Sequence, residues 1–143
     1  MREILFRGQT RRYGERVRIG DGKKLPSKWV YGGIFPGTGD FSVIYGAEKE
    51  DFTGADIEKH PVYSDTVGQY TGLTDKNGKR IFEGDIVKDD SISLLGDVVF
   101  STVGIPSFGI NDVHDGLQYH ESFWHELDII GNIHDNPELL ENP

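Results

Sequence analysis

Four of the five histidines lie late in the chain, at His114, His120, His125 and His134, with Asp112, Asp115, Glu121 and Asp128 near them. Imidazole and carboxylate together are the ligand set of zinc or manganese. The spacing does not support a metal: His-Glu-x-x-His is absent, and His120 and His125 stand five apart. Polar surface on a β scaffold is the reading adopted, with no metal and no cofactor. A second cluster is basic: Arg11, Arg12, Arg16, Arg18, Lys23 and Lys24, with Tyr13 among them. Such residues can displace counterions from nucleic-acid phosphates, or they can form a solvated hairpin or pair with acidic neighbours. The acidic whole favours the second reading. Trp29, Trp124, Tyr70, Phe82, Phe100 and Phe123 can stack on bases, but in small β domains such rings more often form the core. Gly37-Thr38-Gly39 is too short for a phosphate loop. No Ser-His-Asp or Cys-His arrangement follows from spacing, so no enzyme is expected.

The elements that position these residues read as strands. Val67 to Leu73 is rich in β-branched and aromatic residues, Asp75 to Lys79 supplies a turn, and Arg80-Ile81-Phe82 restarts extended structure. Asn77-Gly78 predicts a two-residue type I′ loop with both residues at positive φ. Gly84 can turn left-handed and Asp85 can bond back to nearby amides before Ile86-Val87; such a Gly-Asp-aliphatic step often opens a strand of an SH3-like barrel, by analogy. Trp29 to Phe35 and Phe41 to Tyr45 are strand patterns, the first with a glycine pair consistent with a bulge. Ala47 to His60 reads as loop or one short helix. Asp97 to Phe100 and Phe108 to Ile110 are further strands. Ser122 to Leu127 fits one helical turn before a strand over Asp128 to Ile133, and Asn136-Pro137 ends it.

Val67 to Leu73, Asp75 to Lys79, Ile81 to Val87 and the run Ile129-Ile130-Gly131-Asn132-Ile133-His134-Asp135-Asn136-Pro137-Glu138-Leu139-Leu140 resemble the YopX family of phage and prophage proteins. Met1 to Gly8 and Trp29-Val30-Tyr31-Gly32 match its opening pattern. The resemblance implies a β-rich fold, a phage or prophage source and a bacterial host cytoplasm, and it brings no catalytic residues. Thr10 to Ser27 departs from it, being longer and more basic than the turn usual in relatives.

Composition agrees. The 143 residues include 19 glycines and no cysteine, which favours turns over long helices and excludes disulfides and thiolate sites. Met1 to Gly20 is charged throughout, so no signal peptide is expected, and no apolar run approaches membrane-spanning length. Residues 1–28 carry nine Lys/Arg against three acids, a net of +6, so the remainder carries −15 to reach −9. After Lys88 there is no Lys or Arg. A basic head and an acidic tail can attract other copies, or the two ends can pair.

The expected fold is mainly β: an N-terminal antiparallel sheet region over residues 1–63, a small SH3-like β-barrel over 64–135 with few short helical turns, and a tail over 136–143. The expected function is a non-enzymatic phage accessory protein that self-associates, with a phage or host protein as a further partner. The alternative is a small-barrel nucleic-acid binder using the basic segment as an arm.

Overall fold

The computed structural model describes residues 3–10, 28–35, 37, 39–46, 58–102, 106–118 and 121–141. Two compact units divide the chain: Ile4–Gly68, and Gln69–Pro143 together with Met1–Glu3. The basic stretch 11–27 lies outside the described residues, as does 47–57 of the stretch read as loop or one short helix; the last three residues of that stretch, Glu58 to His60, are instead strand, because they pair with Ile44 to Gly46.

The first unit contains β1 (Phe6–Gln9), β2 (Trp29–Phe35), β3 (Phe41–Gly46) and β4 (Glu58–Tyr63), antiparallel and in the order β4-β3-β2-β1. Alternation in β2 sends Val30 and Ile34 inward and Tyr31 and Phe35 outward. Val30, Ile44 and Val62 form the core, with Phe6, Ile34 and Val67 against them. Each such burial stabilises by about 1.5–3 kcal/mol. The sheet rolls until Thr10, just past β1, bridges Val62 of the far strand β4. Gly8 permits this approach, because a Cβ there would lie 2.8 Å from Val62 Cγ2. The glycine pair in β2 makes no bulge; its partners advance without a register shift on either side. Gly32 is needed for a different reason: a Cβ there would overlap the Tyr45 carbonyl. Hydroxyls close the end of the unit. Thr66 Oγ1 accepts from Gln9 N at 2.9 Å and donates to Tyr63 O at 2.6 Å. Ser42 and Ser64 share a 2.9 Å bond between their Oγ atoms.

The second unit holds the hairpin of β5 (Gly68–Thr74) and β6 (Arg80–Phe82), then β7 (Asp85–Asp89), β8 (Leu94–Ser101), β9 (Ser107–Asp112), β10 (Gly116–Gln118) and β11 (Asp128–Asn132). Strands β7 to β10 form a meander. After a 3-10 turn at Glu121–Glu126, β11 returns to pair with β7, giving the order β10-β9-β8-β7-β11. Ile81, Val87, Leu94, Val98, Ile110, Trp124 and Leu127 are its core, with Phe108 and Ile129 packed on them. The protein is mainly β, with antiparallel sheets and a few short 3-10 turns. Among the described residues the five-stranded sheet does not close through β10 and β11, and its meander with a returning last strand is compatible with the SH3-like expectation. No helix among the described residues is long and apolar enough to cross a membrane.

Candidate interaction surface

The reversal at Asp75–Lys79 is built by a carboxylate. Asp75, though buried, accepts at Oδ1 from Asn77 N and Lys79 N, both at 2.9 Å, and Gly78 N donates to Asp75 O at 3.0 Å. Gly78 is left-handed at φ +77°, but Asn77 is not; Ser93 is the one non-glycine residue with positive φ among the described residues. The two-residue type I′ loop expected at Asn77-Gly78 is therefore replaced by a longer turn. The physical reason is that Asp75 bonds the amides two and four residues on, an arrangement the dipeptide rule does not include. Asn77 instead donates through Nδ2 to Asp128 Oδ1 at 3.3 Å. At the next turn Gly84 stands at φ +92°, and Asp85 Oδ2 accepts from Phe82 N at 2.7 Å. Asn132 plays the same part near the end: its Oδ1 accepts from His134 N at 3.0 Å and from Asp135 N at 2.9 Å. These polar residues are occupied in holding turns.

The described histidines do not converge on a metal-holding group. His114 and His125 are exposed, His134 is half-buried, and His120 lies outside the described residues. Among the described residues no group of three or more His, Asp or Glu side chains is placed to hold a metal. One carboxyl is displaced from ordinary behaviour: burial pushes Asp97 up, partly offset by hydrogen bonds from its own backbone and from the Asn111 side chain.

Arg11, Arg12, Arg16, Arg18, Lys23 and Lys24 all lie outside the described residues. The ends of the segment that carries them are fixed. Thr10 N donates to Lys28 O at 2.9 Å, and Lys28 N donates to Thr10 Oγ1 at 3.2 Å. The chain leaves the first sheet and returns to it at one point, beside Trp29.

The aromatic residues divide. Trp124, Tyr70 and Phe82 are buried. Phe100 is exposed and meets Phe108 edge-on, with centroids 5.1 Å apart. Phe123 has no described side chain. Trp29 belongs to a surface that sequence reasoning missed. Directly opposed residues in an antiparallel sheet share a face, and the register aligns Arg7 with Tyr31, Gly33 with Tyr45 and Lys59, Phe35 with Val43 and Pro61, and Phe41 with Tyr63. This outer face is aromatic. Phe35 is 61% exposed and Tyr31 43%; Tyr45, Phe41 and Tyr63 are half-buried. The Arg7 guanidinium lies 4.6 Å from the Trp29 ring centre and Lys59 Nζ 6.0 Å from that of Tyr45. None of the aligned positions carries a carboxylate. The signal was present in the alternation of Trp29, Tyr31 and Phe35, but which face pointed outward was not.

Comparison with protein families matches residues 38–141, most of the chain, to the family described as YopX protein. The chain belongs to the YopX family. The matched span takes in β3 to β11 and the turns built on Asp75, Asp85 and Asn132, so those family-like motifs fall on turn-forming side chains. Strands β1 and β2, which supply Arg7, Tyr31 and Phe35 to the outer face, precede the span matched to YopX. Among curated proteins, none matches the chain.

Proposed function

We propose that this YopX-family chain is a non-enzymatic accessory protein of a phage or prophage, working in the cytoplasm of the bacterial host as a self-associating protein-interaction module. Its contact surface is the outer face of β1–β4. One observation carries the reading: Tyr31 and Phe35 stand exposed on this face, where Arg7 is buried and, among the described aligned positions, the exposed charged side chain is that of Lys59. A monomer gains nothing from holding such rings in water, and contiguous exposed apolar surface marks contact sites. The turn carboxylates are already engaged by backbone amides, which supports a role without catalysis. The test replaces Tyr31 and Phe35 together with Ser and follows sedimentation. Both side chains are exposed, so the fold is retained, and self-association is lost. Unchanged association would remove the surface from the reading.

A further inference from the structure

Of the asparagines, Asn77 alone is followed by glycine; Asn111, Asn132, Asn136 and Asn142 precede Asp112, Ile133, Pro137 and Pro143. The difference is chemical. The backbone nitrogen of the next residue can attack an asparagine side-chain amide at its carbon. A side chain on that residue obstructs the approach, and proline has no N–H to give up. Glycine presents neither obstacle. The site is also open: Asn77 and Gly78 are exposed, and among the described residues nothing lies within 4 Å of a Cβ built at Gly78.

The fold holds both reacting groups. Gly78 N, the attacking atom, donates to Asp75 O at 3.0 Å, and Asn77 N donates to Asp75 Oδ1 at 2.9 Å. Asn77 Nδ2, the leaving group, donates to Asp128 Oδ1 at 3.3 Å. While these bonds stand, Gly78 keeps its proton and the amide is held at the start of β11. An exposed turn can open locally without unfolding the core beneath it.

We infer that Asn77 is a site of spontaneous deamidation, that the Asp75 turn sets its rate, and that the product loosens the hairpin from β11. When the turn opens, a solvent base removes the Gly78 N–H proton and the nitrogen bonds to Asn77 Cγ. The Cγ–Nδ2 bond breaks, and the departing nitrogen takes a proton from water and leaves as ammonia. Water then opens the cyclic imide. Opening at Cγ gives aspartate; opening at the Asn77 main-chain carbonyl gives isoaspartate, which lengthens the backbone of the turn by a carbon. Either product puts a carboxylate beside that of Asp128 where an amide had donated, so a hydrogen bond is lost and like charges meet. Lys76 Nζ, exposed and 3.7 Å from Asp128 Oδ2, offsets little of this.

The folded chain, incubated in mildly alkaline buffer and cut after glutamate, gives the test by mass spectrometry. The peptide holding Asn77 gains the difference between a hydroxyl and an amide group and becomes a substrate for an isoaspartate methyltransferase. Peptides holding Asn111 and Asn132 stay unchanged. Asp75→Ala converts about tenfold faster, since turn bonds no longer oppose opening. Val98→Ala, which weakens the same unit's core away from the turn, keeps the original rate. If Val98→Ala speeds conversion as much as Asp75→Ala, global unfolding sets the rate and the part given to the turn fails. A folded chain that stays unconverted while the urea-unfolded chain converts fully overturns the site. For the consequence, Asn77→Asp carries the product's charge and Asn77→Ser removes the donor without adding charge. Hydrogen exchange at the Lys76 amide, which bonds Leu127 O at 3.0 Å, is expected to be fastest in Asn77→Asp. Equal exchange there in both variants and the unaltered chain overturns the loosening.

Discussion

Asp75 Oδ2 lies 3.3 Å from the backbone amide of Ile129, across 54 residues of sequence. The same carboxylate shapes its own turn through Asn77 and Lys79, so one buried side chain ties a hairpin to the last strand. Lys76 N adds a 3.0 Å bond to Leu127 O, and Lys76 and Asn77 both reach Asp128. These contacts occupy backbone groups that β11 would otherwise leave open beside β7, which blunts an edge that could pair with another chain.

Removing that carboxylate leaves three amide donors without their acceptor. Asp75→Ala is expected to destabilise the protein by about 2–3 kcal/mol, since each stranded, partly buried donor costs on the order of 1 kcal/mol. Urea unfolding measures it. A loss within experimental error would mean that water replaces Asp75 at no cost, and that the tie to Ile129 is incidental.

Gly78 is the left-handed residue of the same turn. A β-branched side chain is strained there, and Gly78→Val is expected to cost about 1 kcal/mol or more. Nothing lies within 4 Å of a Cβ built at Gly78, so the penalty is conformational and not steric crowding. Asn, which tolerates the left-handed region, should recover much of the loss; equal losses for Val and Asn would point to another cause.

Asp97 sets a pH dependence. Its folded-state value is raised above the ordinary 3.8 by burial. On raising the pH, the unfolded chain ionises first, so stability falls from about pH 3.8 until the folded value is passed and is then level. Below 3.8 both states are protonated and the penalty is absent. Asp97→Asn is thus expected to raise the melting temperature at pH 7, with the gain shrinking to nothing in acid. A variant less stable at pH 7 would show that the Asn111 hydrogen bond outweighs desolvation.

For the histidines, the expectation is that purified protein carries no stoichiometric zinc or manganese and that a chelator leaves its melting temperature unchanged. Elemental analysis near one metal per chain, lost on replacing His120 and His125, would contradict this and reopen an enzymatic role.

The β class, the reversal at Asp75 to Lys79, the Gly84-Asp85 step and the helical turn before β11 were legible in the sequence. Each depends on side chains bonding amides two to four residues away, or on the conformational freedom of a single glycine, and such preferences act locally. Even there the local rule fell short at Asn77, because the Asp75 carboxylate lies outside the dipeptide the rule considers. The assignment of aromatics to the core held for Trp124, Tyr70 and Phe82 but not for the exposed Phe100, and it did not consider Tyr31 and Phe35, which are exposed as well. Which side of β2 turns outward depends on how β1, β3 and β4 roll over Val30, Ile44 and Val62. The sequence alone determined that the chain would make strands and where it would turn. Only the tertiary structure decided that Lys59 would stand beside Tyr45, that Asp75 would reach Ile129, and that Asp97 would be half-buried. Those outcomes rest on pairing between strands far apart in the chain, and a one-residue slip in that pairing would reverse every face.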